Sequence, residues 1–212
     1  AGMASRAAAR SVDTTRVREE LEQAAALRRL STAEDVANAV LDVILAPGFL
    51  EGVKATDADV KVDTRYVNSY VDTPTAKEMG LSMINDNKAD ILWGVAGLSG
   101  NGAAEAALES GKAWFIGVDS DQELTLKPEL AAITLTSGLK NVGQSIIWIF
   151  DEWDAGRTYW GKLVNLGLTE GGVGIVTDKN FTSVAPKAVQ DKVLAAEAGI
   201  KIVVIDSDVN SS

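Results

Sequence analysis

ADILWGVAGLSGNG, Ala89 to Gly102, reads as a strand, a turn and the start of a helix. Its first half is a near-continuous apolar run with β-branched and aromatic content, as expected of a strand covered on both faces. Its second half, Gly97–Gly102, reads as a tight glycine-rich turn into a short helix through Leu108. The same alternation continues on both sides. Upstream, Lys61–Val67 has strand composition, and Thr73-Pro74 opens a helix, proline being suited to a first turn. Ala76, Met79, Gly80, Met83 and Ile84 line one face of that helix. Downstream, Ala113–Val118 and Ala131–Thr136 read as buried strands. Leu139–Trp153 reads as a long helix with Val142, Ile146, Ile149, Phe150 and Trp153 on its apolar side. The tail holds strand-like Leu163–Leu166 and Val173–Thr177, a helix near Pro186–Ala198 and a last strand, Lys201–Ile205. Strands alternating with helices predict an α/β fold whose parallel sheet is flanked by helices and joined by right-handed crossovers.

The beginning of the chain is composed differently. Six of the eight Arg lie in residues 1–46, whereas all twelve Lys lie at Lys54 or beyond. Residues 1–46 are Ala-rich and carry a net charge of −1, against −9 for the remainder. Residues 13–29 have helical apolar spacing. Ser31 and Glu34 form a capping box before a second helix that turns Val36, Val40, Val43 and Ile44 inward. Pro47-Gly48 interrupts it before one further turn at Phe49–Lys54. The expected organisation is a helical arm at 1–46, an α/β lobe at 47–165, and a partial second lobe or added β-α-β segment at 166–212.

Composition excludes several functions. The chain has 212 residues, no Cys, no His and a net charge of −10. Ser-His-Asp and Cys-His catalysis are therefore impossible, and the commonest metal ligands are absent. The acidic balance argues against nucleic-acid or anionic-membrane partners. No apolar run is long enough to span a membrane, and AGMASRAAAR has no apolar core of a secretory signal. Neither a cofactor nor a metal is expected.

Ligands of open parallel sheets bind beyond the carboxyl ends of the strands, and three such ends are chemically unusual. Gly97–Gly102 offers bare backbone and amides at a helix start. Asp119-Ser120-Asp121-Gln122 offers carboxylates able to accept two hydroxyl hydrogen bonds from a ribose or another sugar diol. Ser137-Gly138-Leu139-Lys140 places Lys140 at the start of a helix, where the dipole disfavours a cation. A ligand or a carboxylate partner would account for it. Singly, each has a bland reading as a tight turn, a helix cap or a solvated lysine. Together, on successive strand ends, they favour a cleft. Trp93 and Trp114 read as core residues, and Trp93 can also stack on a flat base near the cleft.

The sequences KVDTRYVNSYVD (Lys61–Asp72), TPTAKEMGLSMINDNKADILWGVAGLSGNG (Thr73–Gly102), WFIGVDSDQ (Trp114–Gln122), LTSGLKNV (Leu135–Val142) and GGVGIV (Gly171–Val176) occur in order. Over about residues 48–180 they resemble the basic membrane protein family of bacterial substrate-binding lipoproteins, whose best-known members bind purine nucleosides for ABC import. The resemblance implies a two-lobed fold like that of type I periplasmic binding proteins, closing on its ligand by hinge bending. It implies that Asp119 holds the ribose hydroxyls, that Lys140 neighbours the sugar, and that Trp93 to Gly97 wall the base, with Asp121 nearby. It implies an extracytoplasmic location, an ABC permease as partner and no enzymatic activity. The family's first-lobe motif that grips the base has no counterpart in residues 1–46. Arg28–Ile44 instead weakly resembles a helical region of short-chain dehydrogenases, without their Tyr-x-x-x-Lys or dinucleotide glycines. Ala195–Ser212 resembles a first-lobe segment of sugar-binding periplasmic proteins. Two other readings compete: a structural or engineered mosaic protein with no ligand, and a nucleoside hydrolase or dehydrogenase remnant.

Overall fold

The computed structural model describes residues 48–162 and 164–203. The expected helices at 13–29 and 31–46 lie outside the described residues. Contacts divide the chain into two units, residues 1–64 and 65–212. In the first, residues 48–56 are helical, as the turn expected at Phe49–Lys54 required.

The second unit carries a sheet of four strands in the order β1-β2-β3-β4. They are β1 Ile91–Trp93, β2 Trp114–Asp119, β3 Thr134–Lys140 and β4 Val173–Ile175. The first three run parallel. Helices α1 (Thr73–Asn87) and α2 (Gly100–Ser110) precede and follow β1, with a 3₁₀ turn at Gly97–Ser99 leading into α2. Two four-residue helices, α3 (Gln122–Thr125) and α4 (Pro128–Ala131), join β2 to β3. Helix α5 (Val142–Asp154) follows β3, and α6 (Lys179–Val184) and α7 (Lys187–Val203) follow β4.

Helix α1 begins where its sequence directs. The Asp72 side chain accepts from the Thr75 amide at 3.1 Å, and proline occupies the first turn. It ends at Lys88, whose left-handed backbone (φ 62°) donates its amide to the Met83 carbonyl. Ala76, Gly80 and Ile84 are its buried residues, three of the five expected. The core joins Ile84, Leu92, Ala104, Ala106, Ala107, Ala113, Phe115 and Leu130. Small residues set the approach of α1 to α2. A Cβ on Gly102 would stand 2.2 Å from the Thr73 carbonyl oxygen, so only glycine lets the two backbones meet there.

The two sheet faces differ. Leu92 and Phe115, paired across β1 and β2, are 3% and 0% exposed beneath α2. On the opposite face Ile91 is 44% exposed, and Trp93, Trp114, Ile116 and Val118 are half-buried.

Several expected elements change. Residues 61–67 form no ladder, although residues 63–67 alternate half-buried and exposed as an extended chain does. A strand needs a neighbour's edge as well as a period of two, and Asn68 (φ 57°) turns the backbone immediately afterwards. The strand expected at Ala131–Thr136 is shifted to Thr134–Lys140, because Pro128–Ala131 closes as α4. The helix expected from Leu139 starts at Val142. Residues 164–167 form no strand. The helix expected to end near Ala198 runs through Val203, so residues 201–203 are helical instead of strand, and 204–205 lie outside the described residues.

The direction of β4 also differs from expectation: it is antiparallel to β3, with Gly138 opposite Ile175 and Lys140 opposite Val173. The connection explains it. After α5 the chain returns to the end it left, where the Asn141 amide donates to the Gly172 carbonyl at 2.9 Å and Asn141 Nδ2 donates to the Gly171 carbonyl at 3.0 Å. A strand starting at the carboxyl end of β3 can only run back along it.

Candidate functional site

The carboxyl ends of β1, β2 and β3 lie side by side in the parallel part of the sheet and carry the residues singled out from the sequence. Trp93 is the last residue of β1, half-buried and opposite Ile116. Gly97 opens the 3₁₀ turn four residues later with φ 55°, its Cα so placed that a Cβ would lie 3.3 Å from the Tyr70 side chain. Asp119 ends β2 and Lys140 ends β3.

The structure pairs the last two: Lys140 Nζ lies 2.8 Å from Asp119 Oδ1, with both side chains about half exposed. The cation therefore has a carboxylate partner. The dipole argument itself does not hold, because Lys140 stands on the end of a strand and not at the start of α5. An exposed pair of this kind contributes little to stability. Its chemical significance is a fixed carboxylate acceptor next to a cation donor, both open to solvent, which suits a ligand presenting vicinal hydroxyls.

Asp121 is turned elsewhere. It is the N-cap of α3, accepting from the Glu123 amide at 3.2 Å, and its other oxygen is bound by Lys179 at the start of α6. That contact raises the Lys179 pKa, the hydrogen bond to Asp121 being the main cause. Glu123 lies in the same cluster with Asp121, Asp178 and Lys179. Burial pushes its carboxyl up, against a backbone hydrogen bond from Asn180 at 3.4 Å, and its Oε1 is buried without a hydrogen-bond partner. Asp121 thus ties the start of α3 to the start of α6.

Three features of this edge were not singled out from the sequence. Ser99, fully buried, donates to the Ser69 carbonyl at 2.7 Å and accepts from the Asp72 amide at 2.8 Å. The Ser99 amide donates to the Tyr70 carbonyl at 3.1 Å. Together these bonds fasten segment 69–72, with Tyr70, to the turn after β1. Gln122 and Ser137 brace the turn after β2. The glycines of GLSGNG drew attention away from the serine between them, and a buried serine has no periodicity signal of its own.

The described residues include no group of acidic side chains that could hold a metal, and no described helix is long and apolar enough to cross a membrane. The family model for ABC transporter substrate-binding protein PnrA-like matches residues 25–209. The chain belongs to that family. Its members are substrate-binding proteins of ABC transporters, not enzymes, which settles the hydrolase and dehydrogenase readings. The match also begins well inside residues 1–46 and runs past residue 180, further in both directions than the motifs alone reached.

Basic membrane protein A of Borreliella burgdorferi is 36% identical over 138 residues, which is 64% of this chain and 39% of that protein. The ABC transporter nucleoside-binding protein BmpA of Lactococcus lactis is 32% identical over 154 residues, covering 67% of this chain and 43% of its own length. A solute-binding protein of an ABC transporter system from Conexibacter woesei superposes with a TM-score of 0.58 at 20% identity, over 72% of this chain and 48% of that one. At that identity the likeness supports the fold alone. The chain spans less than half the length of each of these relatives.

Proposed function

We propose that this chain supplies one wall of a purine nucleoside site in the extracytoplasmic substrate-binding protein of an ABC importer. The observation that carries the reading is the Asp119–Lys140 pair at the carboxyl ends of adjacent parallel strands. A carboxylate there accepts from two ribose hydroxyls, and the ammonium donates to the sugar's oxygens. Trp93, Gly97 and the Tyr70 beside it stand at the next strand end, where a flat base has an apolar ring to lie against. The nucleoside is suggested by the Lactococcus relative, a nucleoside-binding protein, and the purine by the motif resemblance. Asp121 acts indirectly in this reading, by fixing the loop after β2. The arm at 1–46, the lobe at 47–165 and the segment at 166–212 remain our division of the chain. The membrane permease is the partner that the importer role requires.

Calorimetry of the folded chain with adenosine, guanosine and inosine tests the proposal. Binding of at least one is expected, and Asp119→Ala should abolish it while leaving the melting temperature nearly unchanged. A folded protein silent toward all three removes the nucleoside reading and favours the second one, a structural α/β unit without a ligand. The half-exposed second face of the sheet is the observation that keeps that alternative in view.

A further inference from the structure

Asp119 does not sit in relaxed strand backbone. Its φ is 67°, and the Ser120 amide donates to the Val118 carbonyl at 2.8 Å, closing a three-residue turn around it. A γ-turn with positive φ is the rare and strained form. Strain of this kind persists only where the surroundings over-determine it.

Here the surroundings are two side chains. Gln122 Oε1 accepts from the Val118 amide at 3.0 Å, on the near side of Asp119. On the far side, the Gln122 backbone N–H donates to Ser137 Oγ at 3.1 Å. Ser137 is fully buried in β3, paired with Gly117 of β2. Gly117 leaves the space that the clamp occupies, since a Cβ there would stand 2.5 Å from Ser137 Oγ and 2.6 Å from Gln122 Oε1. The chain is thereby held both before and after Asp119, and the strained residue is the one whose carboxylate meets Lys140.

We propose that Gln122 and Ser137 are positioning residues that hold Asp119 in its strained turn, and so present its carboxylate beside Lys140 in the arrangement that receives the ligand. The purpose rests on the nucleoside reading; the clamp does not. If the side chain of Gln122 is removed, the Val118 amide is released and residue 119 can return to an extended or helical backbone. The neighbouring carboxylate then loses its fixed direction.

The test compares Asp119→Gly with Asp119→Ala in the whole chain. Both remove the carboxylate and the Lys140 pair, but only glycine accepts positive φ freely. The glycine variant should melt roughly 3–6 °C higher, the equivalent of a left-handed backbone penalty in a unit of this size. In a Gln122→Ala background that gap should shrink to about 1 °C or less, because the backbone at 119 is then free to relax. Gln122→Glu, which keeps an acceptor for the Val118 amide, should restore the gap. If Gln122→Ala does not fold, Ser137→Ala carries the same comparison. A gap that persists unchanged without Gln122, or no gap in the parent chain, overturns the proposal.

Calorimetry with inosine separates the two ideas. Gln122→Ala should bind inosine at least about tenfold more weakly than the parent, and Gln122→Glu nearly as well, because a carboxylate free to swing loses its pre-organisation. Equal affinity of Gln122→Ala and the parent overturns the positioning role. A parent that binds no nucleoside while the melting gap behaves as stated leaves the clamp in place and removes the nucleoside.

Discussion

Helices α2 and α5 have similar sequence credentials and opposite fates. Both follow a strand of the same sheet, and both carry a helical stripe of apolar residues. Helix α2 buries Gly100, Gly102, Ala104, Ala106 and Ala107, whereas α5 buries no residue. On α5, Val142, Ile146, Phe150 and Trp153 are between 54% and 59% exposed. The difference lies in what each has to pack on. Helix α2 meets α1 across glycines and covers Phe115. Among the described residues, nothing comparable covers α5. Amphipathic periodicity reports that a helix is built to have a dry face, and the burial of that face depends on a second layer being present.

Substitution by size should break the comparison most plainly. Phe115→Ala empties a fully buried site and should cost about 3–5 kcal/mol in urea unfolding. Phe150→Ala removes the same ring from α5 and should change stability by less than about 0.5 kcal/mol. Equal costs would mean that α5 is covered in solution. A smaller effect is expected from Gly102→Ala, which places a methyl against the Thr73 carbonyl and should destabilise by about 1–3 kcal/mol. Gly143→Ala near the start of α5, where a Cβ meets nothing within 4 Å, should be neutral or slightly stabilising.

The strand ends were legible in the sequence because their chemistry is local. A carboxylate after AWFIGV and a lysine after AAITLT are visible without any contact map, and they meet. Other features depend on contacts that are distant in sequence. The alternation of residues 63–67 could not show whether a neighbouring edge would accept a strand. Lys140 was read into a helix, yet Ser137 and Gly138 before it continue the ladder beside β2. The reversal of β4 was invisible, because a strand's pattern is the same read in either direction. Asp121 was placed in the site by its nearness to Asp119, while its partner Lys179 lies 58 residues further on.

Acid sharpens the same contrast between regions. At the end of α5, Glu152 accepts two hydrogen bonds from Arg157 at 2.5 and 2.6 Å and one from the Tyr159 hydroxyl at 2.7 Å. Arg157 chiefly, with Tyr159, lowers its carboxyl from 4.5 to about 2. Its contribution is thus fully present above pH 4.5 and is lost as pH falls toward 2. Glu123, in the cluster with Asp121 and Lys179 after β2, runs the opposite way: burial raises its pKa above 4.5, so its ionisation costs stability as pH rises from 4.5 through that raised value. Melting curves between pH 2.5 and 7 should show Glu152→Gln abolishing part of the acid sensitivity. Glu123→Gln should instead stabilise the protein near neutral pH and have little effect at pH 3. The opposite sign in either variant would show that the side chain's surroundings in solution differ from those described.

The smallest expected effect concerns the pair on which the proposed function rests. A double-mutant cycle on Asp119 and Lys140, using Asp119→Asn and Lys140→Met, should give a coupling in stability below about 1 kcal/mol, because both groups are half exposed. That coupling should weaken further as salt is raised from low to physiological strength and beyond. A pair kept for stability would be buried and salt-resistant. A weak, screened pair held over a strained turn matches a carboxylate whose worth lies in what it offers a ligand, so in the presence of inosine the coupling between the same two residues should exceed the coupling without it. A coupling unchanged by inosine in a chain that binds inosine would place the ligand away from this edge.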